Sequence, residues 1–78
     1  MEIKWKDTNL PGVRSFRYRG RTYYFSVQVF AATLEVENGS SGNMMCTRHI
    51  SRRFTVDDDP LTDLQLLEEA ERLIRRGL

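Results

Sequence analysis

The chain has 78 residues with 12 lysines and arginines against 11 acids, so its net charge of +1 singles out neither a nucleic acid nor a membrane surface as partner. At 40% apolar and 29% charged residues the composition is that of a globular protein, long enough for one domain (1–78) with one modest core. The lone Cys46 excludes an internal disulfide framework, no apolar run approaches a membrane span, and the opening MEIKWKDTNL has no apolar leader; a cytoplasmic protein without a membrane partner is expected.

In chain order, Met1–Lys6 reads as a short edge strand with Ile3 and Trp5 on one face. Asp7–Gly12 then reads as a turn broken by Pro11-Gly12. From Val13 the pattern is β. A two-residue turn at Arg19-Gly20 would pair Tyr18 with Arg21, Phe16 with Tyr23 and Arg14 with Phe25. Because arginine is a poor first residue for a primed turn, a loop of three or four residues is the alternative. The register puts Phe16 with Tyr23, Phe25, Val27 and Val29 on the apolar face.

Phe30-Ala31-Ala32 interrupts the alternation, and Leu34 and Val36 resume it on the opposite parity, which predicts a bulge or bend. Glu37–Asn43 is turn chemistry. The return strand from Met44 to about Ile50 would point Met44, Cys46 and Ile50 inward. Arg48 falls on that same face, so it must snorkel, sit at an edge, or mark a different register.

The last segment predicts an amphipathic helix over 60–76. Asp57-Asp58-Asp59 would cap it, Pro60 would open it and Gly77 would end it. Leu64, Leu67, Ala70, Leu73 and Ile74 form its apolar stripe, with Leu66 at the margin. Glu68 with Arg72 and Glu71 with Arg75 are the expected ion pairs. The expected fold is therefore α+β: an antiparallel β-meander of three or four strands over 2–56, with the helix packed on one face.

Chemistry is sparse. His49 and Cys46 lie three apart on one strand, on opposite faces, and a nucleophile without a positioned base has little activation; no catalytic site, and so no enzyme, is expected. Gly39–Gly42 lacks the lysine and the strand-to-helix setting of a phosphate loop, so no cofactor is expected. The acidic run 57–59 with Asp63 and Glu68 lacks the glycine of a calcium loop, and helix capping accounts for it without a metal.

What remains is a binding surface. Residues 1–56 hold nine lysines and arginines against four acids, and residues 57–78 three against seven, so the chain is electrically two-sided. The face of the first hairpin away from the helix would carry Ser15, Arg17, Thr22, Tyr24, Ser26 and Gln28, with Arg19 in the turn. Thr47, His49 and Arg53 would extend it. Guanidinium groups, an amide and an aromatic plane suit phosphate contacts and base edges, although exposed strands carry the same residues merely to stay soluble.

Pro11–Arg14, Arg17–Gly20, the alternation of 23–29 and the late helix LQLLEEAERLI together resemble the three-stranded-sheet-plus-helix DNA-binding domains of plant ethylene-response factors and phage integrase arm-binding domains. The resemblance implies a sheet laid in the major groove with the helix behind it, and Arg14, Arg17, Arg19, Arg21 and Tyr24 as contacts. In length and two-sided charge the chain is also similar in format to small phage-encoded anti-CRISPR proteins, which implies a protein-binding inhibitor or adaptor. The candidate partner is thus nucleic acid or an acidic protein surface, with a homodimer through an edge strand as a further option.

Overall fold

The computed structural model describes residues 2–38, 44–53, 57 and 59–78. They form one antiparallel five-stranded sheet, in the order β1 (Lys6–Asp7), β2 (Val13–Tyr18), β3 (Arg21–Val27), β4 (Ala31–Asn38) and β5 (Met44–Ser51), and one helix, α1 (Asp63–Arg75). The α+β meander with a C-terminal helix is as expected. The strand count is five, not three or four.

The extra strand comes from the segment read as a bulge. Val27 pairs with Ala32 and Phe25 with Leu34, so 28–31 is a hairpin turn closed by the Gln28 amide donating to the Ala31 carbonyl at 2.7 Å. Val29, expected inward, is 77% exposed at its tip beside Phe30. Neither Val29 nor Phe30 has a positive φ, and neither is glycine or asparagine, so the usual sequence mark of a tight hairpin is missing.

The first hairpin has the expected register, with Arg14, Phe16 and Tyr18 opposite Phe25, Tyr23 and Arg21. Its turn is the two-residue form: Arg19 at φ +50° and Gly20 at φ +76° are both left-handed, as a primed turn requires. Arginine is costly in that conformation, where asparagine is at home. Arg19→Asn is therefore expected to raise stability by about 0.5–1 kcal/mol, measured by urea denaturation.

Only Lys6–Asp7 of the N-terminal segment is strand, but Ile3 and Trp5 still pack on the core. The Trp5 ring meets Phe16 and Phe25 at centroid distances of 6.1 and 5.8 Å, and its Nε1 donates to Glu71 on the helix at 3.1 Å. In β5, Cys46 and Ile50 pair with Val36 and Ala32 on the core side as expected. Met44 does not follow them: an irregularity after Val36 sets it opposite Glu37, and it is exposed. Arg48 sits opposite Leu34 on the helix-facing side, and it is exposed because β5 is the edge of the sheet. Of the expected turn 37–43, Glu37 and Asn38 belong to β4, and the rest lies outside the described residues.

The helix starts three residues later than expected. Its cap is Thr62, whose hydroxyl accepts from the Gln65 amide while the Gln65 side chain accepts from the Thr62 amide, a complete capping box. The acidic residues on either side of this gap are therefore not the cap: Asp57 and Asp59 are exposed, and Asp58 lies outside the described residues. Gly77 at φ +93° ends the helix in a Schellman motif, with the Gly77 and Leu78 amides donating to Ile74 and Leu73. The helix packs across β3, β4 and β5. Leu66, Ala70 and Ile74 make the buried stripe, against Tyr23, Phe25, Ala32, Leu34, Val36 and Ile50. Leu64, expected inward, is 63% exposed, and Leu66, expected at the margin, is fully buried. The ion pairs are Arg72 with Glu69 and Arg75 with Glu71, so Glu68 is not the partner of Arg72.

Candidate functional site

The register divides the expected contact residues between two surfaces. On the open face of the sheet lie Arg17, opposite Thr22, Tyr24, opposite Ser15 and Glu35, and His49, opposite Thr33. Gln28 joins them through its amide, bonded to the Ser26 and Thr33 hydroxyls. Arg14 and Arg21 are on the other side, because their strand partners are Phe25 and Tyr18, which face the helix. Arg53 also belongs to the helix side, where it lines a groove with helix residues. Arg19 projects at the turn, its guanidinium 5.2 Å from the centre of the Tyr18 ring. The contacts implied by the resemblance therefore do not share one surface with the residues that alternation assigns to the open face, since a residue shares its face with its cross-strand partner.

The open face is electrically balanced. Across its paired strands Lys6 and Arg17 are met by Glu35 and Glu37, both on β4. Loss of solvent around the ring, then the Glu37 carboxylate and its hydrogen bond, raise the Tyr24 phenol above its ordinary value of 10.0, so it stays protonated at neutral pH. A polyanion laid on this surface would meet both carboxylates.

The helix side differs. Between β5 and the C-terminal half of α1 runs a groove of about 480 Å³ in which Arg48 and Arg53 face Arg76 across Ile50, Leu73 and Leu78. Its one acidic lining residue, Glu69, is already held by Arg72. On the other flank of the helix end, a hollow of about 220 Å³ is lined by Tyr18, Arg19, Arg21, Tyr23 and Ile74. The two recesses meet at Gly77. Of the chain's ten arginines, Arg19, Arg21 and Arg76 gather at the C-terminal end of the helix, while Arg48 and Arg53 line the groove along its flank, Arg53 beside the helix entry, where its carbonyl accepts from the Leu61 amide. None of the five has a carboxylate in ion-pair contact among the described residues. Arg21 donates to the Gly77 carbonyl at 3.4 Å, and the Tyr23 hydroxyl to Leu78 at 2.7 Å, which fixes the floor between the recesses.

A helix C-terminus carries about half a negative charge, which one or two basic residues offset. Three arginines there and two along the groove exceed that, so dipole complementarity does not account for them. Sequence reasoning placed Arg19, Arg21 and Arg53 among the contacts. It met Arg48 only as a register problem, and the signal available was Arg48 on an otherwise inward parity.

Arg52 is a second residue that reasoning from sequence passed over. Its guanidinium donates to the carbonyls of Val29 at 3.1 Å, Gln28 at 3.4 Å and Leu61 at 2.6 Å, and to the Asp63 carboxylate at 2.7 Å. It is a structural clamp at the helix entry, beside Arg53 at one end of the groove.

Comparison with protein-family models, curated proteins and solved structures finds no match to this chain. The site therefore has to be read from its own chemistry. Among the described residues no cluster of three or more His, Cys, Asp or Glu could hold a metal, and no helix is long and apolar enough to cross a membrane.

Proposed function

We propose that this protein is a small non-catalytic module that binds nucleic acid through the arginine-lined recesses beside the helix, not through the open face of the sheet. The observation that carries this reading is that Arg19, Arg21, Arg48, Arg53 and Arg76 line the two recesses beside the helix without carboxylate partners among the described residues. Guanidinium groups in such number suit a row of phosphates. Arg19 adds support, since an arginine held in a left-handed conformation marks a site where the side chain outweighs the backbone cost.

A fluorescence-anisotropy titration with labelled DNA at several salt concentrations tests it. Neutralising about five phosphates predicts a slope of log affinity against log salt near −3.5 to −4.5. Charge reversal at Arg19 and Arg76 is expected to abolish binding, whereas reversal at Arg17 on the open face leaves most of it. The opposite ranking would return the site to the open face. A flat titration even at low salt would sink the nucleic-acid reading.

A second reading, a protein-binding inhibitor or adaptor, is favoured by a different feature. Phe30 is 85% exposed on a turn whose carbonyls Arg52 holds in place, a fixed aromatic of the kind that anchors protein interfaces. It becomes the leading reading if the titration is flat.

A further inference from the structure

We infer that two copies of this chain associate through the end that carries the β3–β4 turn, each inserting Phe30 into a recess of the other. The inference is independent of the nucleic-acid reading, since it uses neither arginine-lined recess. The turn is the protruding half. Val29 and Phe30 are both exposed, and Arg52 holds the turn, its amide donating to the Phe30 carbonyl and its guanidinium to the Val29 carbonyl. An apolar tip fixed in this way loses little freedom on binding. The receiving half is a hollow of about 460 Å³ between the start of β2, the end of β3 and the first turns of α1. Its apolar lining is Phe25, Val27, Leu64 and Leu67, of which Leu64 is exposed and Val27 and Leu67 are half-buried. Roughly 150 Å³ of apolar space takes a benzene ring, so the hollow has room for a phenyl side chain.

Three observations make a second copy the occupant. Tip and recess are neighbours, because the guanidinium that holds Val29 also reaches Asp63, which lines the recess. A two-fold axis passing between them seats both Phe30 rings at once, whereas a different protein would have to bring a matching tip and a matching recess of its own. The charged residues lining the recess are Arg14 and Asp63, one of each sign, so two copies meeting there are spared the like-charge repulsion that the arginine-lined recesses would give. The other route to a dimer, through the β5 edge, is opposed by Arg48. It stands on the helix-facing side of that edge strand, where a charge discourages pairing with another strand.

Sedimentation velocity of the full chain tests it. One aromatic and a few aliphatic side chains per copy make a small interface, so the run spans about 10 μM to about 1 mM, over which the average mass should rise from monomer toward dimer. Phe30→Asp and Leu64→Glu, made separately, should each weaken association by at least about tenfold. Both residues are exposed, and a thermal melt in dilute solution matching the unaltered chain establishes that each variant is folded. If either acid unfolds the chain, Phe30→Ala and Leu64→Ala serve in its place and carry the same expectation in direction. An equimolar mixture of the two variants keeps one intact tip and one intact recess, and should associate more tightly than either variant alone. A monomer at the highest concentration overturns the inference and leaves Phe30 to a different protein. A dimer that survives both substitutions, or that yields to only one of them, also overturns it.

Discussion

Arg52→Ala is expected to lower the stability of the fold by about 2–3 kcal/mol, read as a fall of roughly 10–20 °C in Tm for a domain of this size. The reason lies in the β3–β4 turn. Two-residue hairpin turns that match strand twist need left-handed residues, and Val29 and Phe30 are not left-handed, so the turn has no intrinsic preference holding it. Arg52 supplies the hold from outside. Its amide donates to the Phe30 carbonyl at 3.1 Å, and its guanidinium takes the carbonyls of Val29 and Gln28. The same group reaches the Leu61 carbonyl and Asp63, tying the turn to the entry of the helix. Its side chain is only 18% exposed, so these charged hydrogen bonds are partly shielded from water. Arg52→Lys should recover little, because one ammonium cannot replace a planar fork of donors. Asp63→Asn should cost less than about 1 kcal/mol, since that carboxylate is 74% exposed and the ion pair is screened. Urea denaturation followed by Trp5 fluorescence measures all three; an Arg52→Ala curve that overlays the parent would remove the clamp from the account.

Leu66→Ala is expected to be more damaging, with a loss of about 2–5 kcal/mol. Leu66 is 0% exposed and lies with Ala70 and Ile74 on the stripe that covers Leu34 and Val36. A domain this small has only a few kcal/mol of net stability, so the variant should be largely unfolded at room temperature, with loss of helical circular dichroism. Leu64→Ala is the control: at 63% exposure it should change stability by no more than about 0.5 kcal/mol. An equal effect of the two substitutions would mean that the helix packs on the other stripe.

That pair of leucines shows where periodicity stops. Both lie on helical spacings compatible with the residues that follow, and a helix read alone can be rotated by part of a turn without losing its apolar stripe. The rotation is set by contacts from outside the helix: Trp5 on Glu71, Tyr23 on Leu78, and the sheet beneath Ala70. The helix start was misplaced for a related reason. Asp57–Asp59 before Pro60 and Thr62 with Gln65 are both credible starts, and the reciprocal capping box at Thr62 satisfies two backbone donors where a proline start satisfies none.

The sequence by itself determined what depends on near neighbours. Alternation and the Arg19-Gly20 pair set the register of β2 against β3, because a one-residue slip would expose Phe16, Tyr23 and Phe25 together. The return strand, the late helix and its Gly77 end follow from the same local rules. Only the tertiary structure decided that β4 is a separate strand and that five arginines line the two recesses beside the helix. Those five come from positions 19 to 76, and nothing in their spacing brings them together. Their placement depends on the order of the strands and on the direction in which the helix crosses them, which are properties of the packed chain.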